Sequence, residues 1–405
     1  MNVLKRNINN IFFIFILSHL IIWTLVPTLT NYNLPLDTIE ALAWGNNLNW
    51  GFNKHPPGSA FFSEMIYQIF GAQDWAYYLL SQIFVVGSFL LVWQFSKIFF
   101  KKDIFSLLSV VCLEALIFYN YTTPEFNVYI SQMPFRVLSI LFFWKAYETK
   151  KVFHFILFGI FSSIAFLSHY LFIYLLLSLK IFVLMDLKKN LEKIKLYFLS
   201  SLVFFIIISP HIIWLFENNF STFTYALQRT GAGNYDIFNH IKHPILFILK
   251  QLGILIPFII LISSIIKKFF LRINIKDKKL IFLLIINFAP IILMLITSIF
   301  FGTRIRTMWL SPFYLTFGVL VFYIYKNNLN LKKLKRFTII FLILSISYPI
   351  AYTLVSILND KKRTDYPGEE IADLVQRRWD RNFSNEIKYV IGDEWSAGNL
   401  SYHLV

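Results

Sequence analysis

The sequence predicts an all-α protein that crosses a membrane many times. Three observations carry this: a strongly apolar composition, long apolar runs that recur along the chain, and a one-sided distribution of basic residues. Of 405 residues, 57% are hydrophobic and 19% aromatic, and only 15% are charged; mean hydropathy is +0.61. Soluble domains carry about a quarter charged residues, so most of this chain must face lipid or pack against segments that do. The net charge of +16 would suggest nucleic acid in a soluble protein, but basic residues also collect at the cytoplasmic ends of membrane helices. Cys112 is the single cysteine, which excludes an intrachain disulfide and a Cys-based metal site and fits a small buried apolar residue.

The first element follows Lys5 and Arg6 and runs from 8 to 29. It is long enough to span a bilayer and lacks a small-x-small cleavage site before Asn31, so it is expected to be an anchor, not a removable signal peptide. Further apolar runs fall near 76–96, 104–120, 128–146, 152–168, 170–185, 196–216, 244–266, 280–301, 308–325 and 337–357, which predicts about 11 transmembrane helices. The runs 152–168 and 170–185 are short, and only Ser168-His169-Tyr170 separates them; they fit either two spans or a re-entrant hairpin.

Basic residues orient the scheme. Alternate connections, starting with the N-terminus, hold 23 of the 38 Lys and Arg residues, whereas the intervening loops before the tail hold only Lys54, Arg229, Lys242, Arg304 and Arg306. Cytoplasmic loops retain positive charge, so the N-terminus is expected inside and the C-terminal tail outside. The same bias explains the charge without a nucleic-acid partner.

Two outer loops, 30–75 and 217–243, and the outer turn 302–306 stand out. In the first, Asp37 to Trp44 reads as a short amphipathic helix, with Asp37 and Glu40 on one face and Trp44 and Trp50 as interface anchors. A second amphipathic segment runs from Phe61 to Phe70. Residues 1–357 are expected to form the transmembrane catalytic domain, and 358–405 a short polar extracytoplasmic tail of α/β character, with a strand at Ile387 to Ile391 and a helix beginning within Asp393 to Leu404. Neither internal repeats nor inverted symmetry are visible.

Carboxylates beside a membrane are costly unless solvated, paired or used. A solvated loop helix would accommodate Asp37 and Glu40 equally well, but Lys54 and His55 precede Pro56-Pro57, which stiffen the backbone and can hold a cation and an imidazole at a fixed distance from the carboxylates. Glu114 and Arg136, in the outer halves of adjacent spans, are expected to pair with each other. His169 and His211, near outer helix ends, are expected to be hydrogen-bonded structural residues.

The text Leu36-Asp37-Thr38-Ile39-Glu40-Ala41-Leu42-Ala43-Trp44-Gly45 followed by Trp50-Gly51-Phe52-Asn53-Lys54-His55-Pro56-Pro57 resembles the GT-C glycosyltransferases that use lipid-linked sugars. Within them it is similar to bacterial relatives of the dolichyl-phosphate-mannose protein mannosyltransferases. Thr123-Pro124-Glu125-Phe126-Asn127, Ser209 to Trp214, Gly302 to Trp309 and Tyr366-Pro367-Gly368 extend the likeness across the membrane part into the tail. Many relatives carry adjacent Asp-Glu in the first motif, where this chain has two residues between them, and a longer terminal domain.

The resemblance implies an inverting transfer of a sugar from a polyprenyl-phosphate donor to an acceptor hydroxyl, on lipid A, lipopolysaccharide core or protein, at the outer face of a bacterial inner membrane. Such a step needs a base, stabilisation of an oxocarbenium-like sugar and compensation of charge on the departing phosphate. Asp37 is the expected base, with Glu40 in support. Arg304 and Arg306, which run against the charge bias, suit the donor phosphate; Lys54 and His55 can assist there, and Glu125 can line the acceptor cleft. No metal ligand set is assigned and no cofactor requirement follows, although the carboxylates with His55 could bind a divalent cation. A multi-spanning transporter or lipid-linked-sugar flippase is the alternative, and would place its polar residues along a path across the membrane. A non-catalytic scaffold would tolerate loss of Asp37.

Overall fold

The computed structural model describes residues 2–186, 193–231, 236–269, 274–359 and 361–404. Lys188, Lys189, Arg272 and Asp360, and the side chains of Lys5, Arg6 and Lys193, lie outside that description. The helices are α1 (Asn2–Thr30), α2 (Leu36–Gly45), α3 (Gly58–Phe70), α4 (Asp74–Phe99), α5 (Asp103–Val111), α6 (Val128–Thr149), α7 (Val152–Ser168) and α8 (Ile173–Asp186). They continue as α9 (Lys193–Glu217), α10 (Ser221–Thr230), α11 (Asn239–Ser263), α12 (Lys278–Phe301), α13 (Phe317–Tyr325), α14 (Leu334–Leu358), α15 (Gly368–Asn382) and α16 (Ser396–His403). In lipid every backbone N–H and C=O must find a partner within the protein, and a helix provides one locally.

Helices α1, α4, α9, α11, α12 and α14 are each long and apolar enough to cross a membrane, and Thr307–Tyr314 with α13 makes a seventh crossing if the 55° bend between them lies within one span. The protein is a multi-pass membrane protein. All eleven apolar runs are helical, yet several are not continuous. The run 104–120 breaks after α5 into 3-10 turns at Cys112–Ala115 and Ile117–Tyr119, and α7 and α8 have only 17 and 14 residues. His169 interrupts α7 and α8 in an extended conformation and caps the next turn by accepting from the Leu171 N–H. The two helices then diverge, α7 packing between α6 and α9 and α8 against α12.

The two broken segments lean on one another. Tyr119 donates to the Ser311 carbonyl (2.7 Å), and Gly318 sits so close to the Ser109 carbonyl and Cys112 Sγ that no Cβ would fit. Cys112 is free and buried, as its apolar neighbourhood suggested. The expected Glu114–Arg136 pair does not form. Glu114 instead contacts His19 of α1 (2.9 Å), and Arg136 stacks on Phe313 (4.1 Å to the ring centre) with both terminal nitrogens unpartnered. Sequence proximity of the two spans placed the opposite charges at similar depth, but their side chains face different helices.

Connections gather at two ends. At one, Lys279 donates to the Ile98 carbonyl (2.7 Å) and Lys278 to the Tyr147 hydroxyl (3.0 Å), so basic segments far apart in sequence share an end. At the other lie the 31–73 loop, the 120–127 loop, α10, the 302–306 turn and the tail, joined by contacts such as Tyr32 and Asn33 N–H to the Thr364 carbonyl (3.0 Å each). In the tail α15 and α16 pack together, and α16 packs on α2. The strand expected at Ile387 to Ile391 is absent. That segment is extended, but residues 387–392 make no backbone hydrogen bond, because no second strand runs beside them. The described residues contain no named strand, only an isolated bridge between Ile266 and Leu329.

Candidate active site

The 31–73 loop is folded against the protein at its acidic helix. The Asp37 N–H donates to Glu125 Oε1 (3.0 Å) and the Thr38 hydroxyl to the Phe126 carbonyl (3.2 Å). These bonds occupy donors at the N-terminus of α2 that the helix itself cannot pair, and they fix Asp37 beside Glu125. Asn127 next caps α6, its side chain accepting from Tyr129 and Ile130 N–H (3.0 and 3.2 Å). Both carboxylates therefore sit where helices begin.

Beyond α2 the chain turns back, and the Phe52 N–H donates to the His55 carbonyl (3.0 Å). Trp44 stacks flat on Phe52 (5.2 Å, 9°), so it is buried within the loop and is not an interface anchor; Trp50 is exposed. The turn points Lys54 inward, where it donates to Glu40 and approaches Glu394 of the tail at 3.3 Å. His211 of α9 clamps the same loop. Its Nδ1 meets the Trp50 carbonyl (2.5 Å), and its Nε2 meets the Tyr170 hydroxyl (2.6 Å). A carbonyl can only accept, so Nδ1 carries the proton and Tyr170 donates to Nε2. Gly51 lies directly under the Trp214 ring, with no room for a Cβ. Gly58 opens α3 with its Cα so near Leu167 and Ser168 that a Cβ would come within 2.8 Å of backbone.

The electrostatics follow from this burial. Asp37 is half-buried, and desolvation raises its pKa against the charges of Lys54, Arg363, Arg306 and Arg229 that pull it down. Glu125 is pushed up to about 8, first by burial and then by the charge of Asp37, so it is largely protonated at neutral pH. Glu40 is pushed up to about 7 by burial, with Asp37 and Glu394 adding to the rise and Lys54 opposing it. For Lys54, burial acts downward, but the Glu40 bond and the charges of Glu40 and Glu394 outweigh it and hold it above its ordinary value. His55 is pushed down to about 4 by burial and by Lys54. It is neutral near pH 7, and can offer a hydrogen bond there but not a charge.

Of the seven residues expected in the site, Asp37, Glu40, Lys54 and Glu125 are joined by contacts or by shared charge, and Arg306 acts on Asp37. His55 packs among Trp44, His169 and Tyr225 (6.0, 5.6 and 6.4 Å). Arg304 is tied through its N–H to the Thr230 carbonyl (2.9 Å), which pins the 302–306 turn to α10. His243 Nδ1 meets the Gly302 carbonyl (2.9 Å) and holds the turn from α11. Among the described residues no three His, Cys, Asp or Glu side chains gather closely enough to hold a metal ion.

Residues 54–214 match the dolichyl-phosphate-mannose-protein mannosyltransferase family. That segment contains Lys54-His55-Pro56-Pro57, Glu125 and His211, the residues that build one wall of the cleft. Among solved structures, ArnT from Cupriavidus metallidurans bound to undecaprenyl phosphate superposes with a TM-score of 0.63 at 13% identity, over 96% of this chain and 74% of that one. The chain shares the ArnT fold, and the family match covers less than half of it. The apo ArnT structure gives a TM-score of 0.57 at the same identity and coverage. No curated protein matches the sequence. Three charged residues that the motifs do not include complete the cluster: Arg229 of α10, Arg363 after α14 and Glu394 before α16. Arg229 alone carried a signal in the sequence, as one of the few basic residues in an outer loop.

Proposed function

We propose that the protein is a glycosyltransferase that moves a sugar from a polyprenyl-phosphate donor to an acceptor hydroxyl, with inversion, and that Asp37 is the base. The observation that carries this reading is the placement of two carboxylates, Asp37 and Glu125, side by side and within the field of Lys54, Arg306, Arg229 and Arg363. Asp37 takes the acceptor proton as the acceptor oxygen bonds to the anomeric carbon. The bond from that carbon to the phosphate oxygen breaks on the opposite face, and the electron pair leaves with the lipid phosphate. A phosphodiester thereby becomes a monoester with one more negative charge, which Lys54 and the Arg304–Arg306 turn are positioned to offset.

Lys54 is held by Glu40 and Glu394, so a donor phosphate must share or replace one of them. Glu40, with a pKa of about 7, can be protonated on donor arrival and release Lys54. Glu125 lines a cavity of about 250 Å³ with Tyr121, Tyr352 and Arg363, a route by which an acceptor can reach the carboxylates from the side away from Lys54. The acceptor is lipid A, lipopolysaccharide core or a protein hydroxyl. The site faces outward at a bacterial inner membrane, since the opposite end carries the basic loops.

The test is release of polyprenyl phosphate from a polyprenyl-phosphate sugar by the purified protein with acceptor. Asp37→Asn keeps the shape but removes the base, and is expected to lower turnover by about 10²–10⁴-fold at unchanged membrane expression. Turnover equal to wild type removes Asp37 from that role.

A further inference from the structure

Helix α11 turns one stripe of side chains toward the segment that carries Arg304 and Arg306. His240, His243, Phe247 and Gln251 recur every three or four residues, so they share a face. Each polar member of the stripe reaches a backbone carbonyl on a flank of that turn. His240 Nδ1 meets the Ile299 carbonyl (2.7 Å) and His243 Nδ1 the Gly302 carbonyl (2.9 Å); a carbonyl can only accept, so both imidazoles donate. The Gln251 amide donates to the Thr307 carbonyl (3.2 Å) and accepts from the Tyr314 hydroxyl (3.0 Å). It thereby ties the first residue of the 3-10 segment Thr307–Tyr314 to the last. Gln251 is buried, and an amide at membrane depth is costly unless its polar atoms are used.

The turn between these grips is held almost residue by residue. The Ser298 hydroxyl donates to the Thr303 carbonyl (2.7 Å), the Arg304 N–H to the Thr230 carbonyl (2.9 Å) and the Trp309 N–H to the Arg306 carbonyl (3.1 Å). By contrast, the guanidiniums of Arg304 and Arg306 make no hydrogen bond or ion pair among the described residues. Two open cations on a fixed backbone form a receptor that is ordered before an anion arrives, which favours binding.

We infer that Gln251, with His243 in support, is a positioning residue for Arg306: it fixes the backbone from which the guanidinium meets the donor phosphate, and this rests on the phosphate role proposed above. Both ends of the Gln251 amide are bonded to Thr307–Tyr314, so it acts through the backbone and not on the lipid. Thr307 follows Arg306 directly. Releasing its carbonyl therefore loosens the peptide next to Arg306 first, and the long arginine side chain magnifies a small backbone rotation at its tip.

The experiment measures the affinity of the purified full chain in nanodiscs for a polyprenyl monophosphate, with each substitution made in the wild type and in Arg306→Gln. Gln251→Met keeps the volume and removes both bonds, and is expected to weaken binding by about tenfold, near the upper value of one uncharged hydrogen bond. In the Arg306→Gln background the same substitution is expected to change affinity by less than about twofold, because residues that act through one another are not additive. Tyr314→Phe leaves the Thr307 bond in place; it is expected to bind as wild type at a lower melting temperature, which separates positioning from packing. His243→Leu, near the start of α11, releases the Gly302 carbonyl and is expected to weaken binding in the same Arg306-dependent way, so it gives the same test if Gln251→Met does not fold. An equal loss in both backgrounds, an equal loss in Tyr314→Phe, or wild-type affinity in the variant that folds overturns the inference. If Arg306→Gln itself binds as tightly as wild type, the phosphate role falls and this inference with it. If Arg306→Gln weakens binding and Gln251→Met does not, this inference alone falls.

Discussion

Asp37 keeps a raised pKa although Lys54, Arg363, Arg306 and Arg229 all act to lower it, because burial outweighs them. In the proposed role of base Asp37 must be ionised, so activity is expected to fall as pH drops through that raised value. Each cation counters the rise, and removing one lifts the pKa further. Arg306→Gln is therefore expected to move the acid limb of kcat/KM to higher pH and also to reduce donor use; an acid limb that stays in place separates Arg306 from Asp37. The residues of this cluster differ in how visible they were. Asp37, Glu40, Lys54 and Glu125 lie in short local motifs, and Arg306 broke the charge bias. Arg363 and Glu394 look like any solvated tail charge, since only tertiary packing brings them more than 300 positions back to the loop. Arg136 shows the same limit in reverse: its depth was legible, but not the direction of its side chain, which decides whether Glu114 or Phe313 receives it.

Among elements, hydropathy located every long helix but not the interruptions. A 3-10 turn at Cys112–Ala115 is as apolar as the helix it ends, and Gly318, which permits the close approach of the two broken segments, looks like an ordinary glycine until its neighbours are known. Ile387 to Ile391 carries β-branched and aromatic residues suited to a strand, yet pairing is a property of two segments, and the second is missing. The clamp between the first loop and α9 has a sharp steric test. Gly51→Ala puts a methyl into the Trp214 ring, and overpacking of this kind costs about 1–3 kcal/mol. The expected result is a lower melting temperature and slower transfer, measured in detergent, with Gly87→Ala, which meets nothing within 4 Å, unchanged in both.

For the molecule as a whole, the separation of basic segments from the end that holds the carboxylate cluster was the most legible feature, because lysine placement follows membrane topology and not local structure. Reporter fusions at residue 45 and after residue 361 are expected on the same, extracytoplasmic side; opposite sides would contradict the contacts that join the two segments. One further property of the whole follows from its two interrupted spans. An α-helix rises about 1.5 Å per residue and a 3-10 helix about 2 Å, so α5 with its two turns reaches nearly as far as a full crossing while using fewer residues and poorer hydrogen bonds. The 3-10 turns within 112–119 and 307–314 carry poorer hydrogen bonds than a continuous helix, and their amides are expected to exchange with deuterium ahead of those in α4 and α6.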